Sequence, residues 1–278
     1  VSNTSYPRST SSELRARIAS ALVLGVVAVF GLLGGGIFFA LIVAGVAFAA
    51  LAEWNRLVNG GHTSTITYYA GGLVAMATIW LLVSSSIIVP IFIVGLAAVI
   101  TVVVAALRKT SVPWHVAGIL YIGIPALALV SLREYGGRGA AIVGGLFAAV
   151  WAADIGALFV GRWLRGPKLF PALSPNKTWA GFLGGIIAAS LVEAIYVWIL
   201  GGAGEQAAVF GAFLGLVAHG GDLFESWVKR CFRAKNTGDI IPGHGGVLDR
   251  VDSLLFAAPM GALLIFVFGL NPLFGGNP

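Results

Sequence analysis

Charge is scarce in this sequence. Asp, Glu, Lys and Arg make up 10% of the 278 residues, where a soluble domain carries about 25%. A water-facing surface needs polar side chains to cover it, so a soluble globular fold is excluded. Cysteine is scarcer: Cys231 stands alone, which excludes an internal disulfide framework and a cysteine-rich zinc site. It sits in a polar, basic stretch and reads as incidental. No G-x-x-x-x-G-K-[ST] segment occurs, which excludes a P-loop NTPase. Acids number only 11 against 17 Lys and Arg. In so apolar a chain the net charge of +6 reflects orientation and anionic head groups, not nucleic acid, which is not an expected partner.

What is abundant is apolar sequence, 58% of the chain, in runs near the ~20 residues that cross a bilayer. Nine helical spans are expected: Ile18 to Leu33, Ile37 to Val58, Tyr68 to Val83, Ile87 to Leu107, His115 to Leu132, Ala140 to Val160, Gly181 to Leu200, Ala207 to Phe224 and Ser253 to Leu270. Runs this long without strand alternation select helices over a barrel. The fold class is therefore all-α, a polytopic integral membrane protein. The first run follows Arg15 and Arg17 as a signal peptide would, but it lacks a convincing small-residue cleavage site and many spans follow.

The basic residues test that count. With the N-terminus in the cytoplasm and the spans alternating, Arg133 and Arg138 fall outside and the rest of the 17 fall inside. Cytoplasmic segments are enriched in Lys and Arg, so the expected topology is N-terminus in, C-terminus out. Residues 1–17 read as a flexible cytoplasmic leader. Residues 18–139 read as structural, lipid-facing helices, whose glycines suit close packing and permit a homodimer without requiring one. Residues 140–278 read as the region of chemistry, with long cytoplasmic segments at 161–180 and 225–252.

Five of the acids come late: Asp222, Glu225, Asp239, Asp249 and Asp252. Asp222, Glu225 and Lys229 share a helical face, and Asp249 and Asp252 repeat the three-residue spacing at the ninth span. Two helix ends meeting at the interface would gather carboxylates that repel one another unless a cation neutralises them. Hard oxygen ligands favour Mg²⁺, with a second cation conceivable for so many acids. Simple pairing with Arg250, Lys229 and Arg230 is the plainer alternative. Metal binding is favoured because acids at a membrane interface are functional candidates by default.

Between those helix ends lies Ile241-Pro242-Gly243-His244-Gly245-Gly246. Its glycines leave amides accessible for an anion, a weak signal by itself. His244 could be a ligand, an acid or a loop hydrogen-bond donor. The other polar segment holds Lys168 and Ser174-Pro175-Asn176-Lys177-Thr178 ahead of the seventh span. Ser or Thr there is usually an N-cap, although a helix N-terminus beside a lysine also suits phosphate. Asp154 lies within the sixth span, and His219 lies one turn before Asp222.

The chain resembles the phosphatidate cytidylyltransferase, or CDP-diacylglycerol synthase, family. The family signature reads here as Ser226, Lys229, Arg230, Lys235, Asn236, Pro242, His244, Gly245, Gly246, Asp249, Arg250 and Asp252, with spacing kept throughout. A second element, S-P-x-K-T, matches Ser174, Pro175, Lys177 and Thr178. Two positions depart: Asn236 replaces an aspartate and Ala180 a glutamate.

The resemblance implies transfer of the cytidylyl group of CTP to phosphatidic acid, giving CDP-diacylglycerol and pyrophosphate. It also implies an active site facing the cytoplasm from the bacterial inner membrane. Asp222, Asp249 and Asp252 would hold Mg²⁺. Lys177, Lys229, Arg230 and Arg250 would neutralise phosphates, and Gly245 and Gly246 would offer amides. By motif, His244 joins the catalytic set, while Ser174, Thr178, Ser226 and Lys235, with Lys168 from the same polar segment as Ser174, join the substrate-binding set. The alternatives are an isoprenoid phospholipid as acceptor, or a transporter, which would place polar groups near the bilayer midplane.

Overall fold

The computed structural model describes residues 11–84, 86–241, 245–271 and 273, and side chains from Leu22 onward. Among the described residues there are nine α-helices: α1 (Ser11–Gly34), α2 (Gly36–Val58), α3 (Thr65–Trp80), α4 (Ile88–Leu107), α5 (Val112–Arg133), α6 (Gly139–Leu164), α7 (Trp179–Ile199), α8 (Gly204–Cys231) and α9 (Leu248–Phe266). Local signals set several starts. The Ser64 hydroxyl accepts from the Ile66 N–H ahead of α3, and a proline stands in the first turn of α5.

Among the described residues six helices are long and apolar enough to cross a bilayer, namely α2, α4, α5, α6 with the preceding turn, α7 and α8. The α4 helix shows why water is not its solvent. Phe92, Leu96, Val99 and Val103 form an exposed apolar stripe, while Val94, Ala97, Thr101 and Ala105 on the opposite side are buried. Such a face is stable only against lipid tails, and the protein is integral to a membrane. By contrast α3 has 16 residues, and α9 opens on Asp249, Arg250 and Asp252.

Contacts at the helix ends sort them into two groups. Arg133, ending α5, donates to the Leu32 carbonyl at 2.9 Å. Arg138 donates to Leu273 O at 2.8 Å, and the Tyr196 hydroxyl of α7 reaches Ala141 O at 3.0 Å. The other ends of these helices meet elsewhere: Trp54 Nε1 of α2 donates to Trp114 O of α5 at 2.7 Å, and the end of α8 pairs with the start of α9. The two arginines expected outside thus lie in the group of ends away from the acids.

Helices α6, α7 and α8 approach backbone to backbone. A Cβ on Gly156 would lie 2.5 Å from Ala188 Cβ, and one on Gly211 would lie 2.6 Å from Ala189 O, the close packing that small residues allow in membranes. Aromatic rings tie the first half of the chain to the second. Trp114 lies 5.7 Å from Trp227, and Tyr121 lies 5.0 Å from Phe224.

The structure departs from the expected boundaries in informative ways. Helix α1 begins at Ser11, so it takes in Arg15 and Arg17. Helix α8 runs on to Cys231, placing Glu225, Ser226, Lys229 and Arg230 on a helix instead of in a loop. The segment at 161–180 contains an antiparallel hairpin, β1 (Lys168–Phe170) with β2 (Ser174–Thr178), which pairs Lys168 with Thr178 and Phe170 with Ser174. Polar sequence can continue a helix or form strands once it leaves the hydrocarbon, and apolar run length is blind to both.

Candidate active site

The extension of α8 builds the site. Continuing the helix keeps Asp222, Glu225 and Lys229 on one face, and α9 crosses close by at Gly221, where a Cβ would lie 2.5 Å from Asp252 O. One carboxylate oxygen from each of Asp222, Glu225 and Asp252 lies within 4.8 Å of the others. Three hard oxygens so placed could hold a divalent metal ion. Two members of the expected set, Asp222 and Asp252, are in this group. Asp249 is outside it, and Glu225 stands in its place.

Asp249 is held by the loop instead. Its Oδ2 accepts from the Thr237 N–H at 3.1 Å, the Thr237 hydroxyl at 3.1 Å and the Gly246 N–H at 2.9 Å. Its Oδ1 pairs with Lys229 Nζ at 2.8 Å. Burial alone would raise this carboxyl, but hydrogen bonding with Glu225, Lys229 and Gly246 outweighs it and holds the group below its usual value. Lys229 pairs with Glu225 as well, so one ammonium joins the acid trio to the loop.

Asp222, Lys229, Asp249 and Asp252 face a cavity of about 1240 Å³. Asp154, Asp222, Asp249 and Asp252 line it together with Arg162, Arg165, Lys168, Lys177, Lys229 and Arg250. Lys177 forms an ion pair with Asp222. Thr178 lines the cavity, and its hydroxyl caps α7, accepting from the Gly181 N–H at 3.1 Å. Asn236 and His219 are on the wall too. Six cations around four acids could accommodate a multiply charged anion together with a metal ion.

Other residues singled out by motif are placed differently. Ser174 lies in β2, Ser226 is half-buried on α8, and Lys235 is exposed. None of the three lines the cavity. Arg230 donates to Leu173 O at 3.4 Å and Ala234 O at 3.2 Å, tying the end of α8 to the hairpin. Gly245 has φ +82°, and its carbonyl accepts from Ile241 N–H at 2.9 Å. The Gly246 amide is committed to Asp249, not open to an incoming ligand. His244 lies outside the described residues, and Asp239 is exposed.

Four further residues stand at or beside the site: Arg162 and Arg165 on the cavity wall, and Thr237 and Glu53 next to Asp249. Arg162 and Arg165 counted only as topology markers, although their position at the end of the sixth span beside Lys168 is the signal that could have found them. Thr237 carried no motif. Glu53 sat in the half of the chain assigned to structure, although an acid in the second span qualifies by the same rule that flagged Asp154.

Comparison with known proteins decides the family. The cytidylyltransferase family profile matches residues 15–268. The chain belongs to the cytidylyltransferase family. Among its relatives, the phosphatidate cytidylyltransferase of Brucella suis biovar 1 (strain 1330) is 39% identical over 262 residues, covering 93% of this chain and 94% of that protein. That of Bacillus subtilis (strain 168) is 28% identical over 279 residues, covering 92% and 99%. That of Rickettsia felis (strain ATCC VR-1525 / URRWXCal2) is 35% identical over 159 residues, covering 54% and 70%. Within this family member, the cavity carries the matching motif residues Lys177, Thr178, Lys229, Asp249, Arg250 and Asp252, together with Asn236 at a position that departs from the motif.

Proposed function

We propose that the protein transfers the cytidylyl group of CTP to phosphatidic acid, releasing CDP-diacylglycerol and pyrophosphate, at the cytoplasmic face of the bacterial inner membrane. The observation that carries this reading is the convergence of Asp222, Glu225 and Asp252 beside a cation-lined cavity that Asp222 and Asp252 themselves line, in a cytidylyltransferase-family chain.

In this reading a phosphate oxygen of phosphatidic acid attacks the α-phosphorus of CTP. The bond from that phosphorus to the oxygen bridging the β-phosphate breaks, and pyrophosphate leaves with the electron pair. The attacking oxygen is already ionised at neutral pH, so no strong base is required. The obstacle is repulsion between anions, and positioning with electrostatic neutralisation answers it. Arg162, Arg165, Lys168 and Arg250 offer charge to the triphosphate, and Lys177 offers it beside Asp222. Lys229 keeps Glu225 and Asp249 in place. Asp222, Glu225 and Asp252 would hold Mg²⁺, whose charge lowers the cost of bringing phosphates together.

The lipid reaches such a site without leaving the bilayer. The acid-bearing helices α8 and α9 also line, with α5, an apolar groove of about 390 Å³ that includes Leu120, Tyr121, Val217 and Phe256. That groove supports a lateral approach in which tails stay among helices while the head group meets CTP.

The test is purified protein in detergent with CTP, Mg²⁺ and phosphatidic acid. CDP-diacylglycerol and pyrophosphate are expected in equal amounts. Absence of both would overturn the reading, and preferred turnover of a polyprenyl phosphate would move it to an isoprenoid acceptor.

A further inference from the structure

Glu53 belongs to α2, yet its carboxylate reaches the start of α9. It is 1% exposed. Its Oε1 accepts from the Val247 N–H at 2.8 Å and its Oε2 from the Leu248 N–H at 2.8 Å. These amides open a helix, where backbone donors lack intrahelical partners and a carboxylate is favoured by the helix dipole. No side-chain cap comes from Val247 itself, so Glu53 performs that office from 194 residues away.

The same carboxylate governs both flanks of the glycine-rich loop. Its Oε2 lies 3.2 Å from the Thr237 hydroxyl, which also lies 3.1 Å from Asp249. That hydroxyl has one proton, so it links the two acids while serving one at a time. A Cβ on Gly246 would lie 2.4 Å from Glu53 Oε2, and one on Gly238 would lie 2.7 Å from Oε1. The glycines at both positions therefore leave room for this carboxylate, and Gly246 in turn donates to Asp249.

We propose that Glu53 is a positioning residue for cytidylyl transfer, clamping Thr237, Gly246 and the first turn of α9 so that Asp249 holds its place at the cavity and, through Lys229, Glu225 holds its place in the acid trio. The inference rests on the cytidylyltransferase reading above. Groups that orient ligands at one remove typically change activity or metal affinity by about 10–100-fold when altered.

The experiment is steady-state kinetics and Mg²⁺ titration of Glu53→Gln and Glu53→Asp beside wild type, with thermal unfolding of each sample. Glu53→Gln keeps the shape but turns one acceptor into a donor facing donors. The expected result is a kcat lower by about 10–100-fold and a higher half-saturating Mg²⁺ concentration, in protein that remains folded. Glu53→Asp keeps both oxygens and is expected between Gln and wild type. Should Glu53→Gln fail to accumulate, Thr237→Val carries the test, because it cuts one link and leaves the α9 cap. It should show the same lowered kcat and altered Mg²⁺ response, restored by Thr237→Ser. Unchanged kcat and Mg²⁺ dependence in folded variants, even with a lower unfolding temperature, would overturn the proposal. An inactive wild type would instead overturn the underlying function.

Discussion

Lys229 sets the charge balance of the site, because its ammonium is shared by Glu225, whose side chain is 1% exposed, and Asp249, at 7%. Lys229→Met would leave two buried carboxylates without their cation. Breaking such a pairing costs about 3–5 kcal/mol, so a lowered unfolding temperature in detergent is expected. Asp252→Asn removes an oxygen donor from the trio and should lower turnover by about 10²–10³-fold, the scale of losing one electrostatic contact to a transition state. A folded variant with wild-type kcat would remove Asp252 from the metal group. Asp249→Asn tests a different role: near-complete loss of turnover is expected in protein that still folds, through the loop and Lys229. The shared face of Asp222, Glu225 and Lys229 was legible from spacing alone. The exchange of Glu225 for Asp249 in the converging group was not, since it depends on how α9 turns against α8 and on Thr237 and Gly246 engaging Asp249.

At the scale of elements, the long apolar runs announced the helices, and charged sequence at their ends hid how far they continue. Helix α8 extends through Glu225, Lys229 and Arg230 because polar side chains propagate a helix well once it emerges from lipid. The hairpin of β1 and β2 escaped notice because Ser174-Pro175-Asn176-Lys177-Thr178 reads locally as a cap, and strand pairing needs a partner that only the fold supplies. Thr178 is in fact both strand end and N-cap. The packing of α6, α7 and α8 gives a prediction remote from the acids. In Gly211→Ala the new methyl would meet the Ala189 carbonyl at 2.6 Å and Glu193 Cβ at 2.5 Å. Overpacking of this kind costs about 1–3 kcal/mol. Lower thermal stability with an unchanged KM for CTP is expected, and a changed KM would show that the helix packing reaches the site.

For the whole molecule, the arrangement places the cavity with the helix ends expected in the cytoplasm and Arg133 and Arg138 with the others. Cys231 is exposed at the end of α8 and reports on this directly. A membrane-impermeant maleimide should label it in inside-out vesicles and leave it unlabelled in right-side-out ones, and the reverse pattern would invert the topology. Composition alone determined that this chain lives in a membrane, because a surface with so little charge cannot be covered in water. Motif spacing determined the family, because that order of Lys, Gly, His and Asp positions is carried by the chain itself. Only the tertiary structure decided which acids converge, which amides are already occupied, and that Glu53 serves the distant α9. Those outcomes depend on separations of a few ångströms between helices far apart in sequence, and helical periodicity constrains residues along one helix but not the rotation of one helix against another.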